Sequence, residues 1–310
     1  MKKTLSFLGI CALTLHSQAA PVVSENFNSF PSGTMASWLS DPAGVTNADY
    51  APADNTQKWI TTSVDSTGSA SLVGISGYSH SLSDKWAQVG GIPLGTSGQS
   101  LSGSQGSQVD VWTPLSTAWD VNASILFGIQ RMAYADNTDT FGWTVRNTAG
   151  TEIFGVVFHP YTTPTPPQDA YGNPTQLGIA WVDSNGVQHE TTEAVVFQGE
   201  YQMNLSLNLR GNNANPGVPV FTLGIQGVSP TDSVTPDGPL MYYSGVVGTG
   251  EGSNDYIGSI AATWLPTDFS NLGSNTMSFD NYIVAVPEPS TVALALGGLG
   301  LMAMLRRRRS

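Results

Sequence analysis

Met203-Asn204-Leu205-Ser206-Leu207-Asn208-Leu209-Arg210 alternates apolar and polar residues without a break. Successive side chains of a strand point to opposite faces, so this stretch is a strand with one buried and one solvated face. After the turn-rich Gly211-Asn212-Asn213-Ala214-Asn215-Pro216-Gly217, the same period resumes at Phe221, Leu223 and Ile225, which predicts an antiparallel hairpin.

Working outward, Ile125, Phe127 and Ile129 give one further strand and Phe141, Trp143 and Val145 another. A nearly continuous apolar strand over 153–158 follows the turn Asn147-Thr148-Ala149-Gly150. Gly178 to Val182 leads into Asp183-Ser184-Asn185-Gly186, whose Asn-Gly pair accepts positive φ. Met277, Phe279 and Ile283 form a last strand. No segment between the two ends sustains an apolar spacing of three and four residues, so the expected fold is all-β, an antiparallel β-sandwich. The proline-rich stretch from His159-Pro160 to Pro174 is read as a long surface loop within one domain, because the strands on either side have the same character. Two smaller β-domains split there are the alternative.

Composition excludes several classes. The 310 residues include 11 Lys and Arg against 23 Asp and Glu, for a net charge of −12. That balance argues against a phosphate-binding groove and predicts no nucleic-acid partner. A single cysteine, Cys11, excludes a disulfide scaffold and a thiolate metal cluster.

Both ends carry targeting signals. Met1-Lys2-Lys3, an apolar run from Leu5 to Leu15 and His16-Ser17-Gln18-Ala19-Ala20-Pro21 have the three parts of a secretory signal peptide. Cleavage is expected between Ala19 and Ala20, which assigns 1–19 to the signal and makes signal peptidase a partner. At the other end, Pro287-Glu288-Pro289 precedes an uncharged run of 14 residues, Val292 to Leu305, and then Arg306-Arg307-Arg308-Arg309. As a helix the run measures about 21 Å at ~1.5 Å per residue, short of a ~30 Å hydrocarbon core. The expectation is a single transmembrane helix over 291–305 serving as a temporary anchor, with the arginines holding the C-terminus in the cytoplasm. Without the two ends, residues 20–285 keep five cations against 22 acids, a charge of about −17. Such a surface stays soluble and disfavours anionic polymers.

Pro287-Glu288-Pro289, the apolar helix and the arginine cluster together resemble the PEP-CTERM sorting signal of Gram-negative bacteria. The resemblance implies that Pro287, Glu288 and Pro289 are the motif recognised by a membrane-embedded exosortase and that Arg306, Arg307, Arg308 and Arg309 are the retention cluster. It divides the chain into 1–19, a passenger over 20–285 and a sorting signal over 286–310, and implies delivery to the cell surface or extracellular matrix. The stretch from Glu25-Asn26-Phe27 to Gly33, and Phe279-Asp280-Asn281-Tyr282-Ile283-Val284, resemble the first and last strands of concanavalin-A-like, laminin-G-like jelly rolls. That second resemblance implies a lectin-like sandwich whose terminal strands pair, and it permits sugar binding.

Local catalytic constellations are missing. No Gly-x-Ser-x-Gly elbow occurs, and His189-Glu190-Thr191-Thr192-Glu193 lacks the second histidine of a helical zinc motif. Sandwich glucanases present acids in a Glu-x-Asp-x-x-Glu pattern that is absent, and Glu190 and Glu193 lie on opposite faces of a regular strand. The passenger is therefore expected to be non-catalytic. Asp136, Asn137 and Asp139 cluster hard oxygen ligands and make Ca2+ the candidate metal, against simple Asx-turns; no other cofactor is expected. Of the eight tryptophans, Trp86, Trp112 and Trp119 sit nearest predicted loops and are the candidate sugar-stacking residues, whereas Trp143 is in phase with the core. The expected function is an exported surface or matrix protein with carbohydrate, chiefly an extracellular polysaccharide, or Ca2+ as candidate ligand. The alternatives are a polysaccharide-active hydrolase or lyase on the same fold and a purely structural matrix protein.

Overall fold

A computed structural model describes residues 21–26, 33–34, 60–61, 73–78, 81–90, 109–112, 114–131, 139–161, 165–170, 172, 174–211, 214–229, 235–248, 256–265 and 275–285. The signal peptide, the anchor helix and the sorting motif expected from the sequence lie outside these residues. Among the described residues no helix is long and apolar enough to cross a membrane.

The strands belong to one unit spanning Pro21–Val286 and form two antiparallel sheets. In the first, the order is β15 (Pro236–Val246), β14 (Val220–Val228), β13 (Glu200–Asn208), β8 (Asp120–Arg131), β17 (Asn275–Ala285), β5 (Ser81–Gly90), β4 (Val73–Tyr78) and β2 (Gly33–Thr34), with β1 (Pro21–Glu25) also on β17. In the second it is β12 (Gln188–Val196), β11 (Gln176–Val182), β10 (Glu152–His159), β9 (Thr140–Asn147), β16 (Ile257–Leu265), β6 (Val109–Trp112) and β3 (Ile60–Thr61), with β7 (Pro114–Ala118) also on β16. The all-β expectation holds, and the hairpin read from Met203 onward is β13 and β14, paired without interruption from Glu200↔Val228 to Asn208↔Val220. The jelly-roll resemblance anticipated that the chain ends pair, and β1 lies antiparallel on β17. The proline-rich stretch joins β10 to β11, which pair antiparallel in one sheet.

The alternating apolar residues meet between the sheets. Met203, Leu205 and Leu207 of β13, Phe221, Leu223 and Ile225 of β14, and Ile125, Phe127 and Ile129 of β8 face Phe141, Trp143 and Val145 of β9 and Phe154, Val156 and Phe158 of β10. Aromatic pairs bridge the layers: Phe127 stacks on Phe158 at 4.9 Å, Trp143 meets Phe279 edge-on at 5.2 Å, and Phe154 packs on Phe221 at 4.6 Å. Burying rings of this size supplies most of the stabilisation of such a core. The fully buried Tyr282 donates its hydroxyl to the carbonyl of Ile260, at 2.8 Å, so one polar bond also ties the sheets.

One sequence expectation fails at a bulge. Met277, Phe279 and Ile283 share a face of a regular strand, yet Ile283 is exposed while Tyr282 and Val284 are buried. Asn281 adopts φ 45° and the register with β8 shifts between Asp280 and Ile283. One inserted residue reverses every face beyond it.

Candidate functional site

The outer face of the nine-stranded sheet, where β15, β14, β13 and β8 lie side by side, presents the residues out of phase with the core. Register places Tyr242, Gly224, Asn204 and Ser124 in one row across these strands. Ser244, Thr222, Ser206 and Asn122 form the row on one side, and Leu240, Gln226 and Gln202 the row on the other, which ends at the buried Leu126. None of these twelve residues is charged, in a passenger that carries about −17.

Tyr242 is 60% exposed and Leu240 54%, so an aromatic ring and a branched apolar side chain stand in solvent together. Gly224, directly opposite Tyr242, adds no side chain between that ring and Asn204; a Cβ there would come within 3.3 Å of Leu240 Cδ1. Adjacent strands are ~4.8 Å apart, so the shelf between Tyr242 and Asn204 spans about 10 Å. A glycine inside a strand weakens it and marks a place where something approaches the backbone closely.

The polar rim of the shelf is preorganised. Gln202 Nε2 donates to Ser124 Oγ at 3.0 Å, and Ser124 Oγ donates to Asn204 Oδ1 at 3.0 Å. That chain leaves Asn204 Nδ2 as a donor and Gln202 Oε1 as an acceptor without protein partners among the described residues. A fixed donor, a fixed acceptor and an exposed ring on a flat neutral surface match the two sides of a sugar: its ring hydroxyls and its apolar C–H face.

Two cavities lie elsewhere. One, of about 350 Å³, opens where β12 faces β13, β14 and β15, and its lining residues include Glu193, Glu200 and Asp237. Tyr201 forms part of its wall; its hydroxyl accepts the Val196 N–H at 2.7 Å, and burial pushes that phenol above its ordinary range. Glu190 and Glu193 turn to opposite sides of β12, as regular alternation predicts: Glu193 lines this cavity and Glu190 meets His159, because the register shift between Gly178 and Ala180 sets four residues of β12 against two and keeps the faces in phase. The second cavity, of about 390 Å³, covers the outer face of the eight-stranded sheet over Gly142, Thr144 and Thr263. At its end His159 Nε2 meets Glu190 Oε2 at 2.8 Å while Gln188 Nε2 donates to Glu190 Oε1 at 2.6 Å. His159 Nδ1 lies 2.8 Å from the Pro160 carbonyl, which can only accept, so the imidazole pins the start of the proline-rich loop to β12.

The sequence candidates fall differently. Trp86 is completely buried with Leu126 and Val228, so its assignment as a sugar-stacking residue is corrected: no ring face is open to a ligand. Trp119 is half-buried against the core, with the Arg210 guanidinium 3.9 Å above its ring and Tyr256 at 4.4 Å, so its π-surface is already engaged. Burial raises the Asp120 carboxyl beside it, against the pull of Arg210. Trp112 lies in β6, and its side chain is outside the described residues, as are Asp136 and Asn137. Asp139 accepts a bond from Asn275 Nδ2 at 3.4 Å. Among the described residues no group of three His, Cys, Asp or Glu is placed to hold a metal. His189 of the half zinc motif instead stacks on Trp181, with centroids 3.7 Å apart, and bonds Asp183 at 3.1 Å. The residues of the shelf were not singled out in the sequence. Their signal was weak: Leu240-Met241-Tyr242-Tyr243 is apolar in both phases, which a strand with one solvated face does not require.

Residues 285–309 match the PEP-CTERM protein-sorting motif, which marks the chain for export and for processing at the membrane by an exosortase. No curated protein matches the chain. Among solved structures it is similar to lectin II from Ulex europaeus, at 8% identity and TM-score 0.43 over 86% of this chain and 99% of that one. It is also similar to the catalytic domain of a GH131 β-glucanase from Podospora anserina, at 11% identity and TM-score 0.49 over 86% and 95%. A third is the winged bean acidic lectin complexed with methyl-α-D-galactose, at 12% identity and TM-score 0.39 over 76% and 94%.

Proposed function

We propose that the exported sandwich is a non-catalytic binding protein for a neutral polysaccharide at the cell surface, and that it holds the polymer on the outer face of the nine-stranded sheet. The observation that carries this reading is the row Tyr242–Gly224–Asn204–Ser124, an exposed ring and a preset amide separated by a glycine that the end of Leu240 borders. The surrounding rows are uncharged, which suits a neutral chain of hydroxyls, whereas the net charge of the passenger repels uronic-acid or phosphate polymers. The sorting signal supports this reading: a polymer-binding passenger released at the surface would stay in the matrix it binds. The test is binding of the chain to immobilised neutral and anionic polysaccharides at low and high salt, with a reducing-end assay on every polymer bound. Retention on a neutral polymer without salt dependence or new reducing ends supports the proposal; retention on anionic polymers alone overturns it.

A second reading attaches to the cavity lined by Glu193, Glu200 and Asp237. Two carboxyl groups about 5–10 Å apart are what glycoside hydrolysis needs. If new reducing ends appear and Glu200→Gln or Asp237→Asn removes them, the protein is an enzyme working from that cavity.

A further inference from the structure

Every sheet edge carries backbone N–H and C=O groups that can pair with another strand, and soluble proteins blunt such edges with charges, prolines, bulges or covering segments. The two edges on this side of the sandwich differ. On β12 the edge is protected by Glu190, Glu193 and the irregular register with β11. On β15 only the first part is protected, by Pro236, Asp237, Gly238 at φ 111° and Pro239. From Leu240 to Val246 the strand has no charge and no proline and pairs with β14 residue by residue, from Gln226↔Leu240 to Val220↔Val246. Among the described residues its other side has no partner strand, and Leu240, Tyr242 and Val246 are exposed at 54%, 60% and 39%.

We infer that Leu240–Val246 is a self-pairing edge, on which a second copy of this chain docks antiparallel across a two-fold axis at Tyr243. The sequence of the segment selects that occupant. With Tyr243 opposite its own twin, Leu240 faces Val246 of the second copy, Tyr242 faces Ser244, and Met241 faces Gly245. On the outer face each branched apolar side chain then meets another, and each tyrosine ring meets a small residue with room for it. These are favourable cross-strand pairs, and an isologous interface repeats each of them twice. The protected first part of β15, with Asp237, falls beyond the paired segment in this register, so the acidic copies bring no carboxylate opposite another along the paired segment. The outcome is one continuous sheet with both polysaccharide shelves on the same side, although the pairing does not depend on what the shelves bind.

The test reads the register directly, in the full-length chain with its one native cysteine replaced by Cys11→Ser. Leu240→Cys with Val246→Cys places two thiol pairs opposite each other across the axis, within reach of a disulfide. Mild oxidation is expected to give a covalent dimer on a non-reducing gel. Either single variant keeps its two thiols about 20 Å apart, six residues at ~3.4 Å, and stays monomeric on the gel. No cross-link in the double variant, or equal cross-linking in the single ones, overturns the inference. Both positions are exposed, and an unchanged melting curve shows that the fold survives. A second measurement avoids cysteine chemistry: Leu240→Lys with Val246→Lys is expected to halve the mass of the protein particle found by light scattering. An unchanged mass overturns the inference as well.

Discussion

Replacing Gly224 with alanine is expected to make the protein more stable and a worse binder. Gly224 lies in extended backbone in the middle of β14, where glycine costs about 0.5–1 kcal/mol relative to alanine. The added methyl group meets the flexible end of Leu240 at 3.3 Å, a contact that a small side-chain rotation relieves. The melting temperature therefore rises by about 1–3 °C. The same methyl group stands on the shelf between Tyr242 and Asn204 and lifts a sugar ring off the backbone, and a gap of ~0.5–1 Å forfeits a quarter to a half of each dispersion contact. Tyr242→Ala sets the scale of what the shelf contributes. A tyrosine offers roughly 200 Å² of surface. With 60% exposed, about 120 Å² is accessible and about half of that is one ring face, worth ~1.5 kcal/mol at ~25 cal/mol/Å². Isothermal titration with the bound polymer's oligosaccharide is expected to show roughly a tenfold weaker Kd for Tyr242→Ala, and a smaller loss for Gly224→Ala. The diagnostic is the opposite sign of the two changes in Gly224→Ala. If affinity stays within about twofold in both variants, or falls only where the melting temperature falls too, the shelf is not the binding site.

Three further outcomes probe the scaffold. Tyr282→Phe leaves the Ile260 carbonyl buried without its donor, so stability drops by about 1–3 kcal/mol and the melting temperature by a few degrees, measured by calorimetry. Gly142→Ala drives a Cβ into the backbone carbonyl of Val156 in the centre of the eight-stranded sheet, and chemical denaturation is expected to register a loss on the order of 3 kcal/mol. Asp183 supplies a pH signature. Burial pushes its carboxyl up, but bonds from His189 and from the Val187 and Asn185 N–H groups outweigh that and leave it below the ordinary value. A depressed carboxyl contributes stability that is complete above its unfolded value, near ~3.9, and is lost as pH falls through the folded one. The stability gap between wild type and Asp183→Ala is therefore constant near neutral pH and closes below about pH 4; a gap that persists at pH 2 would refute the turn's ionic origin.

The sequence read alone determined what is local or terminal. Period-two alternation at Met203–Leu209 and Phe221–Ile225 placed two strands and their apolar faces, because the direction of a side chain on a strand depends only on counting residues. The PEP-CTERM ending was legible for a similar reason: three features in fixed order need no partner elsewhere in the chain. Tertiary structure decided which strands lie together. Ser124 and Asn204 are 80 residues apart and share a hydrogen bond because β8 and β13 are neighbours, which no spacing in either strand states. Trp86 has the look of a surface aromatic in a polar segment, and it is buried together with Leu126 and Val228, residues 40 and 142 positions further along the chain. At Asn281 a single positive φ turned Ile283 outward and Tyr282 inward, since one inserted residue costs little locally and yet reverses every face after it. Faces are therefore set by the chain's own alternation, whereas the shelf and the open edge of β15 exist only once register has brought distant strands side by side.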